Sequence, residues 1–366
     1  MTTADDLRFM QLALTLGRRG LGNAWPNPAV GAVIVKDGAV IGRGWTQPGG
    51  RPHAETEALR RAGKAARGAT LYATLEPCSH HGKTPPCAEA IVAAGIARVV
   101  SAIEDPNPEV AGRGDEMLRA SGIVVTTGVC AEHARRAHAG HICRILDGRP
   151  HVTLKLAVSS DDKAGLSGRR PAPITGEETR ARVHLMRAMN DAVLTGIGTV
   201  QSDDPELTCR LPGMAGQSPV RVVLDRDLRL PLTATLATTA KQVPVWVFCG
   251  EKAATDREQA LGEMGIVVLR TKAGEGGLDL HAVVEALGTR GITRLMVEAG
   301  PTLSASFLRA DLVDEALVLR GPSTIGADGI DALDGLPLSA LTGSHKLKQS
   351  GAEQVGADSH LHLERR

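Results

Sequence analysis

One stretch in the first quarter of the chain carries side chains suited to binding a metal ion and using it. The tripeptide HAE, which begins at His53, is followed after a predicted strand by EPCSHHGKTPPC. His53, Cys78 and Cys87 form the ligand set of a catalytic zinc site, since three protein ligands leave a fourth coordination position for a water molecule. Glu55 is spaced to lie beside that water without binding the metal, so it can carry a proton from the water to a leaving amine.

The spacing of the two thiols departs from the common pattern of hydrolytic zinc sites that remove amines. That pattern is H-x-E followed by P-C-x-x-C, whereas eight residues separate Cys78 from Cys87 here. The spacer must leave as a loop and return, with Cys87 opening the next helix, where a helix N-terminus stabilises a thiolate. The alternative is a closed structural zinc site with His80 or His81 as fourth ligand, although such a site has no use for the carboxylate of Glu55.

Composition and charge limit the classes of function. The chain has 366 residues, a formal net charge of +1, one Tyr, three Phe and three Trp. This length is enough for two domains, while near-neutral charge and scarce aromatic rings argue against a nucleic-acid partner. No apolar run reaches membrane-spanning length and the N-terminus lacks a signal-peptide pattern, so we expect no membrane association and a cytoplasmic location. In that compartment the six cysteines are expected to be metal ligands and free thiols.

Strand and helix patterns alternate through the N-terminal part of the chain. Residues 5–19 show the apolar spacing of a helix, and the apolar strand at 30–35 turns at KDG into a return strand. The alternation predicts a three-layer α/β/α sandwich in which two helix N-termini hold the metal at the edge of the sheet. Asn27 lies between two prolines before the first strand, where it contacts a small heterocycle or satisfies the loop backbone.

A Gly/Pro break at DGRPH, residues 147–151, precedes a second series of strands and helices. There TGEETRARVHLMRAM predicts a helix with Thr175 as N-cap and Glu178 as its capping-box partner. Two apolar strands, DAVLTG and ITRLMVE, each run into a small-residue turn and a helix start, an arrangement that offers backbone N–H groups to a phosphate. The GxGxxG motif is absent, so a Rossmann domain is not predicted.

The segments PNPAVGAVIV, HAE and EPCSHHGKTPPC together resemble the N-terminal domain of the bifunctional deaminase-reductase family of riboflavin biosynthesis, within the cytidine-deaminase-like superfamily. The resemblance implies one zinc ion on His53, Cys78 and Cys87, proton transfer by Glu55, and contact of Asn27 with a pyrimidine. It implies a small-molecule substrate, a diaminopyrimidinone bearing a phosphoribosylamino group, whose ring amine leaves as ammonia. Three further loop residues are either substrate contacts or solvated: His80, Lys83 and Thr84.

The segments KLAVSSDDK, ITGEETRARVHLMRA, TGIGTVQSDDPELTCR and VEAGPTLSASF resemble the reductase domain of the same family, whose fold is like that of dihydrofolate reductase. This resemblance implies NADPH as cofactor and a homodimer. The residues implied to bind the phosphoribosyl substrate are Lys155, Arg187, Leu207, Arg210 and Glu298. The residues implied to bind NADPH are Val158, Thr199, Asp203, Gly300, Pro301, Thr302, Leu303, Ser304, Ala305 and Ser306.

The sequence therefore predicts a two-domain α/β enzyme, with a zinc-dependent pyrimidine deaminase at residues 1–147 and an NADPH-dependent reductase at residues 148–366. Two segments depart from the reductase pattern. SSDD occupies residues 159–162, where many members have S-L-D-G, and PAP occupies residues 171–173, where many have Ser-x-Trp. A deaminase with a non-reducing C-terminal domain is therefore one alternative, and a regulatory binding module with structural zinc is another.

Overall fold

The chain folds into two compact units, Met1–Arg149 and Pro150–Arg366. The computed structural model describes residues 3–81, 85–108, 110–170, 172–274 and 276–366. Two of the loop residues named above, Lys83 and Thr84, lie outside the described residues, as does Pro171 of one departing segment. Within the described ranges, no helix combines the length and apolar character needed to cross a bilayer.

The first unit is built around a five-stranded sheet. Its elements are α1 (Ala4–Gly17), β1 (Gly31–Lys36), β2 (Ala39–Trp45), α2 (Ala54–Ala62), β3 (Thr70–Ala73), α3 (Cys87–Ala93), β4 (Arg98–Ser101), α4 (Arg113–Ala120), β5 (Val124–Thr127), α5 (Ala131–Ala137) and α6 (Ala139–Asp147). The strand order is β2-β1-β3-β4-β5. Strand β1 runs antiparallel to β2 and β3, whereas β3, β4 and β5 are parallel. The predicted alternation of strands and helices is confirmed.

Local chemistry explains how this unit begins. Thr3 and Asp6 form a capping box at the start of α1, in which each side chain accepts a hydrogen bond from the other residue's backbone N–H. Asp6 also accepts from Arg98 at 2.8 Å and 3.0 Å, which ties α1 to β4. The predicted hairpin turn is confirmed, because Asp37 and Gly38 both have positive φ, as a two-residue type I′ turn requires.

Strand β2 packs closely against α2, the helix that follows His53. Gly44 on β2 makes this possible, because a methyl group there would overlap the carbonyl oxygen of Ala54 and the backbone nitrogen of Ala58. The buried apolar side chains of α1, α2, β1, β3 and β4 form one core on the sheet. The start of α2 is therefore held in a fixed position relative to the sheet.

The second unit is built around a nine-stranded sheet. Its elements are β6 (His151–Val158), β7 (Lys163–Gly165), α7 (Glu177–Ala188), β8 (Ala192–Gly196), α8 (Ile197–Asp203), β9 (Val220–Leu224), α9 (Thr235–Thr238), β10 (Val245–Gly250), α10 (Thr255–Glu263), β11 (Val267–Thr271), β12 (Ala273–Gly274), β13 (Gly277–Leu278), α11 (Leu280–Thr289), β14 (Arg294–Glu298), α12 (Pro301–Arg309), β15 (Glu315–Arg320), β16 (Ile330–Asp331), α13 (Ser339–Thr342), β17 (Leu347–Val355) and β18 (Asp358–Arg365). The order in the large sheet is β11-β10-β9-β8-β14-β6-β15-β18-β17.

The strands from β11 to β15 in that order are parallel, and the C-terminal hairpin β17–β18 adds two antiparallel strands at one edge. Strands β8 and β14 run directly into α8 and α12, as the small-residue turns predicted. Since the carboxyl ends of parallel strands lie at one edge of a sheet, both helix starts lie on the edge where α/β proteins place their ligands.

The predicted capping box of α7 is wrong. Gly176 is the N-cap instead of Thr175, and no side chain in the helix's own first turn caps it. The backbone N–H of Gly176 donates at 2.8 Å to the carboxylate of Asp358 on β18. A tertiary contact with the C-terminal hairpin replaces the local cap.

Candidate zinc centre and reductase cleft

Three element boundaries bring the predicted zinc ligands together. His53 is the N-cap of α2, Cys78 lies in the loop after β3, and Cys87 is the first residue of α3. Nδ1 of His53 lies 3.6 Å from Sγ of Cys78 and 3.3 Å from Sγ of Cys87. Zinc bonds of about 2.1 Å to nitrogen and about 2.3 Å to sulfur separate two tetrahedral ligand atoms by about 3.6 Å. The three side chains therefore fit a tetrahedral zinc ion.

The site has three protein ligands and not four. Among the residues that the structure describes, no further His, Cys, Asp or Glu joins the group of His53, Cys78 and Cys87. His80 is exposed, and His81 is exposed and paired with Glu89 at 2.9 Å. The closed four-ligand alternative therefore has no support in the described part of the chain.

The thiols interact with each other and with a helix terminus. The backbone N–H of Cys87 donates to Sγ of Cys78 at 3.3 Å. Hydrogen bonds from Cys87 and His53 lower the pKa of the Cys78 thiol despite its burial, whereas the hydrogen bond to Cys78 and burial raise the pKa of Cys87. The Cys78 sulfur is consequently set up as a thiolate, which is the form that binds zinc.

Glu55 is buried at this site, with 3% of its surface exposed. Burial raises the pKa of its carboxyl to about 6. The charge of His53 and a hydrogen bond with Cys87 oppose this increase, whereas the charge of Cys78 adds to it. A carboxyl in this range can both accept and donate a proton near neutral pH. Glu55 therefore has the position and the chemistry of a proton carrier.

Asn27 lies beside the outer nitrogen of the His53 ring. Its side-chain amide donates to the carbonyl of Gly50 at 2.9 Å and lies 3.3 Å from Nε2 of His53. Gly50 has a positive φ, and a methyl group at that position would overlap the Asn27 side chain. The loop thus fixes Asn27 next to the predicted zinc ligands.

Glu76, which the sequence analysis did not single out, also supports the site. Its buried carboxylate accepts hydrogen bonds from the backbone N–H groups of Asp105 at 3.1 Å, Gly112 at 2.9 Å and Gly114 at 2.8 Å. Glu76 lies two residues before Cys78, so it links the loop before α4 to the zinc-binding segment. Its partners lie far along the chain, which is why spacing alone could not reveal them.

In the second unit, Lys155, Arg187 and Glu298 form a largely buried ionic group, here called the Glu298 cluster. Lys155 and Glu298 are directly opposite on β6 and β14, and Lys155 Nζ lies 3.3 Å from the carboxylate. Nε and Nη2 of Arg187 each donate to one carboxylate oxygen at 2.9 Å. Burial opposes ionisation, but the charges of Lys155 and Arg187 lower the pKa of Glu298 to about 2.

The loop after α8 joins the Glu298 cluster. Nη1 of Arg187 donates to the carbonyl of Thr208 at 3.1 Å. Leu207 is buried with a φ of 55°, while Arg210 is half-exposed and paired with Glu206 at 3.1 Å. The structure thus brings Lys155, Arg187, Glu298, Leu207 and Arg210 into one region.

A cleft of about 1070 Å³ lies at the starts of α8 and α12 in the second unit, and is here called the cofactor cleft. Seven of the predicted NADPH-binding residues line it: Thr199, Asp203, Gly300, Pro301, Thr302, Leu303 and Ser306. The other three do not line it, and their side chains are buried: Val158, Ser304 and Ala305.

Basic side chains that the sequence did not single out also line the cofactor cleft. Arg226 and Arg229 follow β9, and Arg309 lies in the last turn of α12. Arg226 and Arg229 could have been predicted from their position, because residues just past the carboxyl end of a parallel strand lie at the ligand-binding edge of the sheet. Their guanidinium groups are donors suited to phosphate oxygens, and in this structure Arg226 pairs with Asp227 and Arg229 with Asp225.

The SSDD segment forms an ordered turn in this chain. Ser159 donates to Asp161 at 2.6 Å, and the Asp161 carboxylate accepts from the backbone N–H groups of Ile325 at 3.0 Å and Gly326 at 2.8 Å. The aspartate thus connects the end of β6 to the loop after β15.

Comparisons with known proteins agree with this arrangement. Residues 150–361 match the family model of the RibD C-terminal domain, and residues 3–103 match that of the cytidine and deoxycytidylate deaminase zinc-binding region. The riboflavin biosynthesis protein RibD of Escherichia coli (strain K12) is 40% identical over 366 residues, covering 98% of this chain and 99% of the relative. That of Aquifex aeolicus is 40% identical over 353 residues, covering 96% of each.

Solved structures resemble the whole chain as well. RibD of Acinetobacter baumannii, form 1, is 38% identical with a TM-score of 0.87 and 99% of each chain covered. The diaminohydroxyphosphoribosylaminopyrimidine deaminase/5-amino-6-(5-phosphoribosylamino)uracil reductase of Thermotoga maritima is 35% identical with a TM-score of 0.84 and 98% of each chain covered. The predicted combination of a cytidine-deaminase-like and a reductase fold is confirmed. The chain belongs to the RibD family of riboflavin biosynthesis proteins.

Proposed function

We propose that this chain carries out two successive steps of riboflavin biosynthesis. In the first, a diaminopyrimidinone bearing a phosphoribosylamino group loses its ring amine by hydrolysis, and in the second, NADPH-dependent reduction converts the ribosyl group to a ribityl group. Residues 1–147 would perform the deamination and residues 148–366 the reduction. The observation that carries the proposal is the three-ligand group of His53, Cys78 and Cys87 with the buried carboxyl of Glu55 beside it.

The first site suits hydrolytic deamination because it separates metal binding from proton transfer. His53, Cys78 and Cys87 would hold one zinc ion, which supplies Lewis acidity and activates a water molecule when bound. Glu55 takes the proton released when water adds to the amine-bearing ring carbon. It returns that proton to the nitrogen, so the C–N bond breaks and ammonia leaves. Asn27 is proposed to contact the pyrimidine, since its amide lies beside His53.

The second site suits binding of an anionic substrate next to a dinucleotide. The substrate residues are proposed to be Lys155, Arg187, Leu207, Arg210 and Glu298, which lie in one region. Thr199, Asp203, residues 300–303 and Ser306 would hold NADPH, which supplies the hydride that reduces C1′ of the ribosyl group. Support comes from the cofactor cleft, where the N-terminus of the nine-residue helix α12 offers backbone N–H groups beside arginine side chains.

Replacing Glu55 with Gln tests the first step. Glutamine keeps the size of the side chain and cannot carry the proton, so we expect ammonia release to fall by about 10²- to 10⁴-fold. Zinc content by atomic absorption should be unchanged. Glu57→Gln is the matched control, because Glu57 lies on the same helix but pairs with Arg60 and Arg61. Unchanged ammonia release in Glu55→Gln would remove the assigned proton carrier.

NADPH absorbance tests the second step. The protein is mixed with the deaminated substrate, and we expect NADPH to be oxidised in proportion to substrate. No oxidation would leave a deaminase with a non-reducing C-terminal domain, which is the alternative raised by the SSDD and PAP segments. A regulatory module with structural zinc would show neither ammonia release nor NADPH oxidation.

We also propose that the protein is a cytoplasmic homodimer with no nucleic-acid or membrane partner. None of the six cysteines, all of which lie in the described residues, forms a disulfide, as a reducing compartment favours. The dimer is inferred from the family resemblance, and light scattering of the purified protein tests it. A monomeric mass across the working concentration range would contradict that part of the proposal.

A further inference from the structure

A second group of possible metal ligands lies on the C-terminal hairpin. It consists of Glu353, His360 and His362, here called the hairpin cluster, whose ligand atoms all lie within 4.8 Å of one another. None of these residues belongs to the predicted zinc, substrate or cofactor sets. We propose that the hairpin cluster binds a divalent transition-metal ion of the zinc type, at a site separate from the cysteine-containing centre.

The register of the hairpin creates the hairpin cluster. His360 and His362 lie two residues apart on β18, so their side chains point to the same face of the sheet. Glu353 on β17 is directly opposite His360. A slip of one residue would send β18 side chains to the other face, so the sheet pairing that fixes the fold also fixes the three ligands.

The distances within the hairpin cluster leave space for an ion. Oε1 of Glu353 lies 3.9 Å from Nδ1 of His360 and 3.5 Å from Nε2 of His362. Both separations exceed ordinary hydrogen-bond lengths of about 2.7–3.2 Å. They are close to the separation of about 3.4 Å between two nitrogen or oxygen ligands at bond lengths near 2.1 Å on a tetrahedral ion. Small rotations of the side chains would complete the coordination.

The His360 ring is held as metal-binding imidazoles usually are. Its Nε2 lies 2.9 Å from the hydroxyl of Thr179 on α7, and both residues are buried. With the proton on Nε2 directed at that hydroxyl, the lone pair of Nδ1 faces Glu353. A hydrogen bond of this type fixes the tautomer and orientation of a histidine ligand.

The ligand types define the class of ion. Two imidazoles and one carboxylate suit Zn²⁺, Co²⁺ or Ni²⁺ better than Mg²⁺ or Ca²⁺, which prefer oxygen ligands. One cation is nearby, since Nη2 of Arg182 lies 3.9 Å from the other oxygen of Glu353, with 56% of the Arg182 side chain exposed. Arg182 therefore competes for the carboxylate and weakens the affinity without blocking the site.

A bound ion would strengthen the attachment of the hairpin to α7. Thr179 contacts His360, and the N-cap Gly176 donates to Asp358 on the same strand. Helix α7 also carries Arg187, which holds Glu298 in place. The ion would therefore stabilise the second unit and raise its thermal midpoint.

Zinc stoichiometry of the full-length, metal-stripped protein tests the proposal. In a titration against a chromophoric chelator, we expect the wild type to bind two equivalents of Zn²⁺, and His362→Gln and Glu353→Gln to bind one. Both side chains are partly exposed, so these variants should fold, which circular dichroism checks. His345→Gln is the control, since His345 is an exposed histidine outside the hairpin cluster, and this variant should bind two. Arg182→Ala should tighten the second equivalent severalfold.

Cobalt separates the two sites. Only the centre with Cys78 and Cys87 produces thiolate-to-cobalt charge transfer, so this band should be unchanged in the hairpin variants. The proposal is overturned if the wild type binds one equivalent of zinc, or if it binds the second equivalent only at millimolar zinc. It is also overturned if both hairpin variants still bind two equivalents. Zinc stoichiometry is measured independently of ammonia release, so the proposal of a second metal site can fail while the proposed function stands.

Discussion

Replacing Glu298 with Gln removes the only negative charge of the Glu298 cluster. The carboxylate has 15% of its side chain exposed and faces Lys155 at 3.3 Å and the Arg187 fork at 2.9 Å. Glutamine preserves the shape of the side chain but leaves two largely buried cations without a counter-charge. We expect the second unit to lose stability, because burying a charge without its partner is unfavourable.

The size of the loss follows from the ionisation of Glu298. Its pKa is lowered from 4.5 to about 2 by Lys155 and Arg187, although burial opposes this. At about 1.4 kcal/mol for each tenfold change in the acid dissociation constant, this lowering corresponds to about 3.5 kcal/mol. Breaking a buried ion pair by removing one partner costs about 3–5 kcal/mol in other proteins. The two routes agree on a loss of about 3–4 kcal/mol in the free energy of unfolding.

The pH dependence has a defined sign. Since the pKa of Glu298 is lower in the folded than in the unfolded state, its contribution is fully present above pH 4.5 and is lost as the pH falls towards 2. The difference in stability between the wild type and Glu298→Gln should therefore be constant from neutral pH down to about 5 and shrink at lower pH.

Urea unfolding followed by fluorescence measures this difference. Trp246 on β10 is the only tryptophan of the second unit, so replacing Trp25 and Trp45 with Phe isolates its signal. The control is Glu206→Gln, because Glu206 forms an exposed pair with Arg210 and its loss should cost less than about 1 kcal/mol. Equal losses in the two variants, or a loss below about 1 kcal/mol for Glu298→Gln, would refute the reasoning.

Three further substitutions have defined outcomes. Burial and the charge of Glu76 raise the pKa of Asp115 to about 6, so the ionised form of Asp115 destabilises the fold above that pH. Asp115→Asn should therefore raise the thermal midpoint at pH 8, and this gain should disappear near pH 4. Gly44→Ala should displace α2 and reduce ammonia release while NADPH oxidation is unchanged. Cys78→Ala should abolish zinc binding at the cysteine-containing centre and ammonia release. Reduction of added deaminated substrate should persist, because each unit has its own core.

The first site was predictable because its ligands lie where the sequence marks element boundaries. His53 precedes a helix and Cys87 opens one, so local patterns place both side chains at helix N-termini. The grouping of Lys155 with Glu298 followed from the family resemblance, and the adjacent parallel strands β6 and β14 explain it physically. Local sequence patterns are sufficient to predict a site residue when its position is determined by the helix or strand to which it belongs.

The same rules failed where the partner lies far along the chain. The capping box assigned to Thr175 and Glu178 obeys the local pattern, but Asp358 caps that helix from 182 residues away. Glu76 gave no signal because the N–H groups that it binds begin 29 residues downstream. A buried carboxylate can satisfy backbone donors of any segment that the fold brings near it, and no sequence spacing encodes that choice.

The two arginines of the substrate region differ in their contacts, although the family resemblance implies that both Arg187 and Arg210 bind the phosphoribosyl substrate. All three nitrogens of the Arg187 guanidinium group already donate hydrogen bonds. Nε and Nη2 donate to the carboxylate of Glu298, and Nη1 donates to the carbonyl of Thr208. Arg210 is half-exposed, and its pairing with the exposed Glu206 is of the weak kind that solvent screens. An incoming phosphate can therefore take the Arg210 fork without uncovering a buried charge, whereas taking the Arg187 fork would leave Glu298 with Lys155 alone. Among the residues proposed to bind the substrate, we therefore infer that Arg210 contacts the phosphate and that Arg187 contributes by holding Glu298 in place.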